Sequence, residues 1–223
     1  MLGFLDQPRE TNIECCRLFL GLLVWKSRRV FLYCVSPNPE NERGRRRIKE
    51  LAGWGGGRPT VGVFVGGRKT WGKRWPSKNF CELITALYWQ RVNVVTFFGP
   101  EERNMIGFYS DALDSGIAKV FESSPVDFAA MVSNCDLFVT CDSGPMHLAC
   151  ALNTRTVAIF QNPNFDHWGP PSSLARIVHQ PGGCSVDEVF QTCLEELSLD
   201  PTPARFRGEE SLSATGLLGK PVF

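Results

Sequence analysis

The chain has 223 residues, with 24 Lys and Arg against 23 Asp and Glu, 43% hydrophobic residues and 21% charged ones. That composition excludes a collagen, a disordered tail and a coiled coil, and it supplies enough apolar material for a sizeable core. The near-zero net charge hides two blocks: residues 1–80 carry 16 basic and 6 acidic side chains, whereas residues 81–223 carry 8 and 17. A basic first third suggests that anions are handled early in the chain.

The elements follow in chain order. A helix is expected over Glu10 to Trp25, a strand over Val30 to Val35 and a charged helix over Glu40 to Ala52, ending in the glycine-rich stretch 53–58. From Thr60 onward the pattern alternates. Val61 to Val65 reads as a buried strand, and Ser77 to Gln90 as a helix with Ser77 at its cap. Val92 to Phe98 is a strand, Glu101 to Leu113 a helix, and Ile117 to Phe121 a short strand. Pro125 to Asn134 is a helix, Asp136 to Thr140 a strand and Pro145 to Leu152 a short helix. Thr156 to Phe160 is another strand and Val186 to Leu197 a closing helix. Near-continuous apolar strands separated by helices predict an α/β fold: a Rossmann-like parallel sheet with helices on both faces. The division expected is 1–58 as the end of a preceding domain with a linker, 59–200 as the Rossmann-like domain, and 201–223 as a loosely ordered tail.

Nine cysteines contain no C-x-x-C pair, and several sit inside apolar runs, as Cys141 and Cys150 do. They read as reduced, core-forming thiols of a cytoplasmic protein rather than as a disulfide or metal framework. The most apolar run, Leu18 to Trp25, stops at Lys26, well short of the roughly 20 residues that cross a bilayer. Attachment at a membrane surface stays open.

Three places carry chemistry. The first is Gly67 to Arg74, which follows a strand and nearly matches the phosphate-binding G-x-x-x-x-G-K-[ST] loop. Arg74 stands where a hydroxyl should hold Mg²⁺, and Trp75-Pro76 follows where the helix should already run, which argues against a nucleotide-hydrolysing P-loop protein. A cationic loop remains (Arg68, Lys69, Lys73 and Arg74), suited to neutralise phosphate. The second is Asp142-Ser143-Gly144-Pro145-Met146-His147, a strand end turning into a helix that has Pro in its first turn. Its free amides and the positive helix end make an anion site, with Asp142 and His147 beside it. The third is Gly99-Pro100-Glu101-Glu102, at another strand end. Its acidic residues either complement the helix dipole or bind a ribose. No motif for nucleic-acid binding is present.

Together these stretches resemble glycosyltransferase family 9, the heptosyltransferases of lipopolysaccharide core assembly. The resemblance lies in Asp142 to Leu152 running into Thr156 to Phe160, in the downstream Asp166 to Pro170, in Lys73-Arg74-Trp75-Pro76 for the family's K-R-W-P, and in Gly99 to Glu102 for its G-x-x-E. It covers about residues 60–195. What it implies is the carboxyl half of a B-type glycosyltransferase that grips a nucleotide-sugar, typically ADP-heptose, for inverting transfer to a lipopolysaccharide core or other glycan acceptor. In that reading Lys73 and Arg74 with the Ser143-Gly144 turn hold the diphosphate, Glu101 or Glu102 the ribose, and Asp142 and His147 the sugar or phosphate. No metal or further cofactor is implied, because cations and amides supply the positive field. The family's acceptor site and general base lie in its amino-terminal half, of which residues 1–58 match only the end. The resemblance therefore also implies an alternative, a non-catalytic nucleotide-sugar-binding half that needs a partner chain. Localisation is expected to be cytoplasmic, with the inner face of the membrane as a place of attachment.

Overall fold

The computed structural model describes residues 39–51, 57–67, 72–121, 123–170 and 172–198. The helix expected over Glu10 to Trp25, the strand over Val30 to Val35, the tail 201–223 and the loop residues Arg68 and Lys69 lie outside them. The chain runs α1 (Pro39–Leu51), β1 (Thr60–Phe64), α2 (Ser77–Trp89), β2 (Asn93–Phe98), a 3₁₀ segment (Pro100–Met105), α3 (Ile106–Ala112), β3 (Ala118–Phe121), α4 (Pro125–Val132) and β4 (Leu137–Cys141). It continues through α5 (Gly144–Ala151), β5 (Thr156–Phe160), the one-turn α6 (Phe165–Trp168), β6 (Ala175–His179) and α7 (Val186–Leu197).

Six strands form one sheet in the order β3-β2-β1-β4-β5-β6, every neighbouring pair parallel. The strands read as unbroken apolar runs because both faces are covered. On one face Val61 and Val63 of β1, with Val65 just after it, pack with Phe80, Leu83, Ile84 and Leu87 of α2 and Val189 and Cys193 of α7. On the other, Val95 and Phe97 of β2 and Phe138 of β4 pack with Val132 of α4 and Ala149 of α5. Phe97 meets Phe128 edge-on at 5.3 Å, a favoured geometry for aromatic pairs.

Helix α1 joins this second layer. Ile48 is buried in its cluster, Asn134 donates to Asn41 at 2.8 Å, and Arg43 pairs with Asp127 at 2.6 Å. The expected alternation from Thr60 onward is present, with four differences, one of them the unexpected one-turn helix α6. The helix expected from Glu101 starts as a 3₁₀ segment. Ser77 is the first helical residue rather than the cap, which is Pro76. A sixth strand, β6, pairs with β5.

In this strand order the chain leaves β1 toward β2 and β3 on one side and toward β4, β5 and β6 on the other. The helices that follow β1 and β4, α2 and α5, therefore pack on opposite faces of the sheet, and the carboxyl edge between these two strands is where open parallel sheets take their ligands.

Candidate functional site

Three turns meet at the carboxyl edge of the central strands. The turn after β4 begins with Asp142, which is 6% exposed. Ser143 follows in extended backbone (φ −156°, ψ 168°) and is the cap residue of α5. Its hydroxyl lies 3.0 Å from that of Thr140, so its side chain does not cap the helix. The start of α5 is open at Gly144, where an added Cβ would meet nothing within 4 Å, while the Met146 amide turns back to donate to the Ser143 carbonyl at 3.1 Å. With Pro in the first turn, the amides of Ser143 and Gly144 and the positive dipole end remain for an anion. His147 is half-buried one turn along. Burial holds its imidazole below the ordinary range, while Asp142 pulls it up and Lys73 pushes it down, so it stands neutral near pH 7.

The loop after β1 is anchored by Trp75, which is fully buried. Its amide donates to Cys141 Sγ at 3.3 Å and its indole Nε1 to the Cys184 carbonyl at 2.9 Å, and its ring meets Phe80 edge-on at 5.2 Å. With Trp75 fixed, the two preceding cations reach in opposite directions. Lys73 Nζ lies 2.5 Å from Asp142 Oδ2, the two side chains 14% and 6% exposed, and stands over the Trp168 ring at 5.7 Å. Arg74 turns toward β2: Nη2 donates to Glu102 Oε1 at 2.9 Å, Nε to the Gly67 carbonyl at 3.1 Å and Nη1 to Met105 Sδ at 3.0 Å. The other Glu102 oxygen accepts from the Gly99 amide at 3.1 Å.

The sequence-predicted residues thus fall into two groups. Lys73, Asp142, Ser143, Gly144 and His147 line the β1–β4 crevice, whereas Arg74 and Glu102 pair with each other and Glu101 is exposed beside them. Sequence reasoning missed Asn164, whose Nδ2 donates to Asp142 Oδ2 at 3.3 Å. Its Oδ1 is buried without a hydrogen-bond partner among the described residues. Trp168, 53% exposed, was visible only as one letter of a longer motif. A signal existed for both, since they follow the end of β5 as Asp142 follows that of β4. The thiols of this region are inert: burial pushes Cys141 up to about 12. Among the described residues no three His, Cys, Asp or Glu side chains converge as a metal cluster, and no helix is long and apolar enough to cross a membrane.

A parallel sheet in this order, with a lysine and a glycine-bearing helix start at its crevice, is the setting of a nucleotide site. The sequence model of glycosyltransferase family 9 (heptosyltransferase) matches residues 36–197. The chain belongs to that family. Among curated relatives, lipopolysaccharide heptosyltransferase 2 of Escherichia coli strain K12 is 28% identical over 126 residues, covering 54% of this chain and 36% of that protein. Among solved structures, the family 9 glycosyl transferase from Veillonella parvula DSM 2008 matches with a TM-score of 0.62 at 21% identity, over 73% of this chain and 53% of that one. The structure of E. coli ADP-heptose lps heptosyltransferase II matches with a TM-score of 0.56 at 26% identity, over 70% of this chain and 50% of that one. The chain spans between 36% and 42% of the length of the curated family 9 relatives it matches.

Proposed function

We propose that this chain is the donor-binding part of a glycosyltransferase of lipopolysaccharide synthesis, and that it takes an ADP-linked sugar, ADP-heptose, at the crevice between β1 and β4. The observation that carries this reading is the convergence of Lys73 with the Asp142 turn and the open amides at the start of α5. The choice of donor is supported by the 26% identity to the E. coli ADP-heptose lps heptosyltransferase II.

In this mechanism the diphosphate lies between Lys73 and the amides of Ser143 and Gly144. When an acceptor hydroxyl attacks the anomeric carbon from the face opposite the nucleotide, negative charge builds on the departing diphosphate. A lysine and fixed amides already in place stabilise that charge without reorganising. Asp142 holds the Lys73 ammonium in line, and with Asn164 it presents oxygens to the sugar hydroxyls. His147, kept neutral by burial, donates or accepts one hydrogen bond at a sugar or phosphate oxygen without adding charge. Glu101 or Glu102, in the 3₁₀ turn after β2, receives the ribose hydroxyls. The general base and the acceptor site would be supplied from outside the described residues.

The test is calorimetric titration of the purified chain with ADP, UDP and GDP, with and without Mg²⁺. Saturable binding that prefers ADP and does not need the metal is the expected result, and no binding of any of the three overturns the reading.

A further inference from the structure

The one-turn helix α6 is fixed along its whole length, yet it holds a large aromatic side chain out of the core. At its start, Asn164 Nδ2 donates to Asp142 Oδ2 at 3.3 Å, and the Asn164 carbonyl accepts from the amides of His167 and Trp168 at 3.1 and 3.0 Å. Within it, the Phe165 ring meets Phe160 edge-on at 6.1 Å and the His179 ring at 5.3 Å. His179 is in turn placed by its Nδ1, 2.8 Å from the Phe160 carbonyl. At its end, the Gly169 amide donates to the Phe165 carbonyl at 2.7 Å, and a Cβ on Gly169 would collide with that same carbonyl. Trp168 sits in this pinned turn and is 53% exposed. A single exposed aromatic side chain needs no explanation by itself, but the neighbours of this one supply it.

Lys73 Nζ, held 2.5 Å from Asp142 Oδ2, stands over the Trp168 ring at 5.7 Å from its centroid. The indole therefore flanks the crevice on its β5 side, next to the cation assigned to the diphosphate. That distance is close to the outer limit of a cation–π contact, so the ammonium marks the way the ring faces without covering it. Beside it lies Asn164 Oδ1, a buried acceptor with no hydrogen-bond partner among the described residues. A sugar has two kinds of surface. Its rim of hydroxyls needs donors and acceptors, which Asp142 and Asn164 offer, while the faces of its ring are C–H bonds that pack against the negative face of an aromatic ring. We propose that Trp168 is a specificity-determining residue of the donor site: its indole is the wall against which the pyranose ring of an ADP-linked sugar lies. This rests on the donor reading above. The nucleotide without its sugar does not reach the wall, so Trp168 distinguishes the sugar-bearing donor from the ADP left after transfer.

The experiment titrates ADP and ADP-heptose separately into the unsubstituted chain, Trp168→Ala and Trp168→Phe, each first checked for a cooperative melt. Trp168→Ala removes the ring, and Trp168→Phe keeps an aromatic face. The expected result is that Trp168→Ala loses at least about threefold more affinity for ADP-heptose than for ADP, the scale of one aromatic packing contact. Trp168→Phe is expected to recover most of that difference. Equal losses for the two ligands overturn the proposal, because Trp168 would then act only through Lys73 and the diphosphate. Unchanged affinities for both ligands in Trp168→Ala overturn it as well. If Trp168→Ala does not melt cooperatively, Trp168→Gln takes its place, with length kept and the ring gone. An unsubstituted chain that binds neither ligand, or ADP without ADP-heptose, removes the donor reading itself. Binding of both ligands with an indifferent Trp168 removes only the sugar wall.

Discussion

Strand β4 carries an aspartate just outside each end, and the two do different work. Before the strand, the exposed Asp136 accepts from the Thr60 amide at 2.7 Å through Oδ2, while its own amide donates to the Thr60 carbonyl at 2.9 Å. That carboxylate is spent on backbone, joining β4 to β1 at the amino edge. After the strand, the buried Asp142 is spent on the Lys73 ammonium and the Asn164 amide. At the amino edge the carboxylate joins the backbone of two strands, and at the carboxyl edge its counterpart holds a lysine in place beside the start of α5. Polarity alone does not mark a site, since both aspartates are polar and bonded. A buried charge held by another charge beside open amides does.

The comparison can be broken in order of effect. Trp75→Ala removes the anchor beneath the carboxyl-edge loop and leaves a cavity in a fully buried position. A loss of about 3–5 kcal/mol is expected in denaturant melts. Asp142→Ala leaves the Lys73 ammonium without the carboxylate that holds it in line, and ADP affinity is expected to fall at least about tenfold because the charge-assisted contact to the diphosphate loses its placed donor. Asp136→Ala is the mirror case. It should cost about 1.5–3 kcal/mol of stability for the lost bond to a charged acceptor, with ADP affinity unchanged, and a fall in affinity would erase the distinction between the two edges. Ser124→Ala removes an ordinary cap on the Asp127 amide at 3.1 Å, far from the crevice, and is expected to cost about 1 kcal/mol with no change in binding.

The smallest effect is one of pH. His147 has its folded-state value below the unfolded one, so the unfolded chain takes up the proton first. The stability contributed by neutral His147 is whole above about pH 6.5 and declines as pH falls below it. His147→Gln should flatten that part of the stability curve, and an unchanged curve would contradict the assigned state.

Most of the sheet was legible because fully buried parallel strands are written as unbroken apolar runs, as Leu137 to Cys141 is. The edge strand β6 was not. Arg176 is exposed and Ile177 half-buried there, so Ala175 to His179 lacks both a long apolar run and a clean alternation. The 3₁₀ start after β2 was hidden for another reason. Pro100, Glu101 and Glu102 are good first-turn residues for an α-helix, and only the pull of Gly99 and Arg74 on Glu102 shows why the chain winds tighter. Lys73 and Asp142 could each be picked out from turn chemistry, but their meeting across about 70 positions of chain could not. Nor could the sorting of Lys73 to one side and Arg74 to the other, which depends on Trp75 being pinned beneath them.

The most direct measurement is a calorimetric titration of ADP into Lys73→Ala beside the unsubstituted chain. The donor-site account predicts saturable binding by the unsubstituted chain and a loss of about tenfold or more in the variant, whose melt stays cooperative. Equal affinities in the two would contradict it.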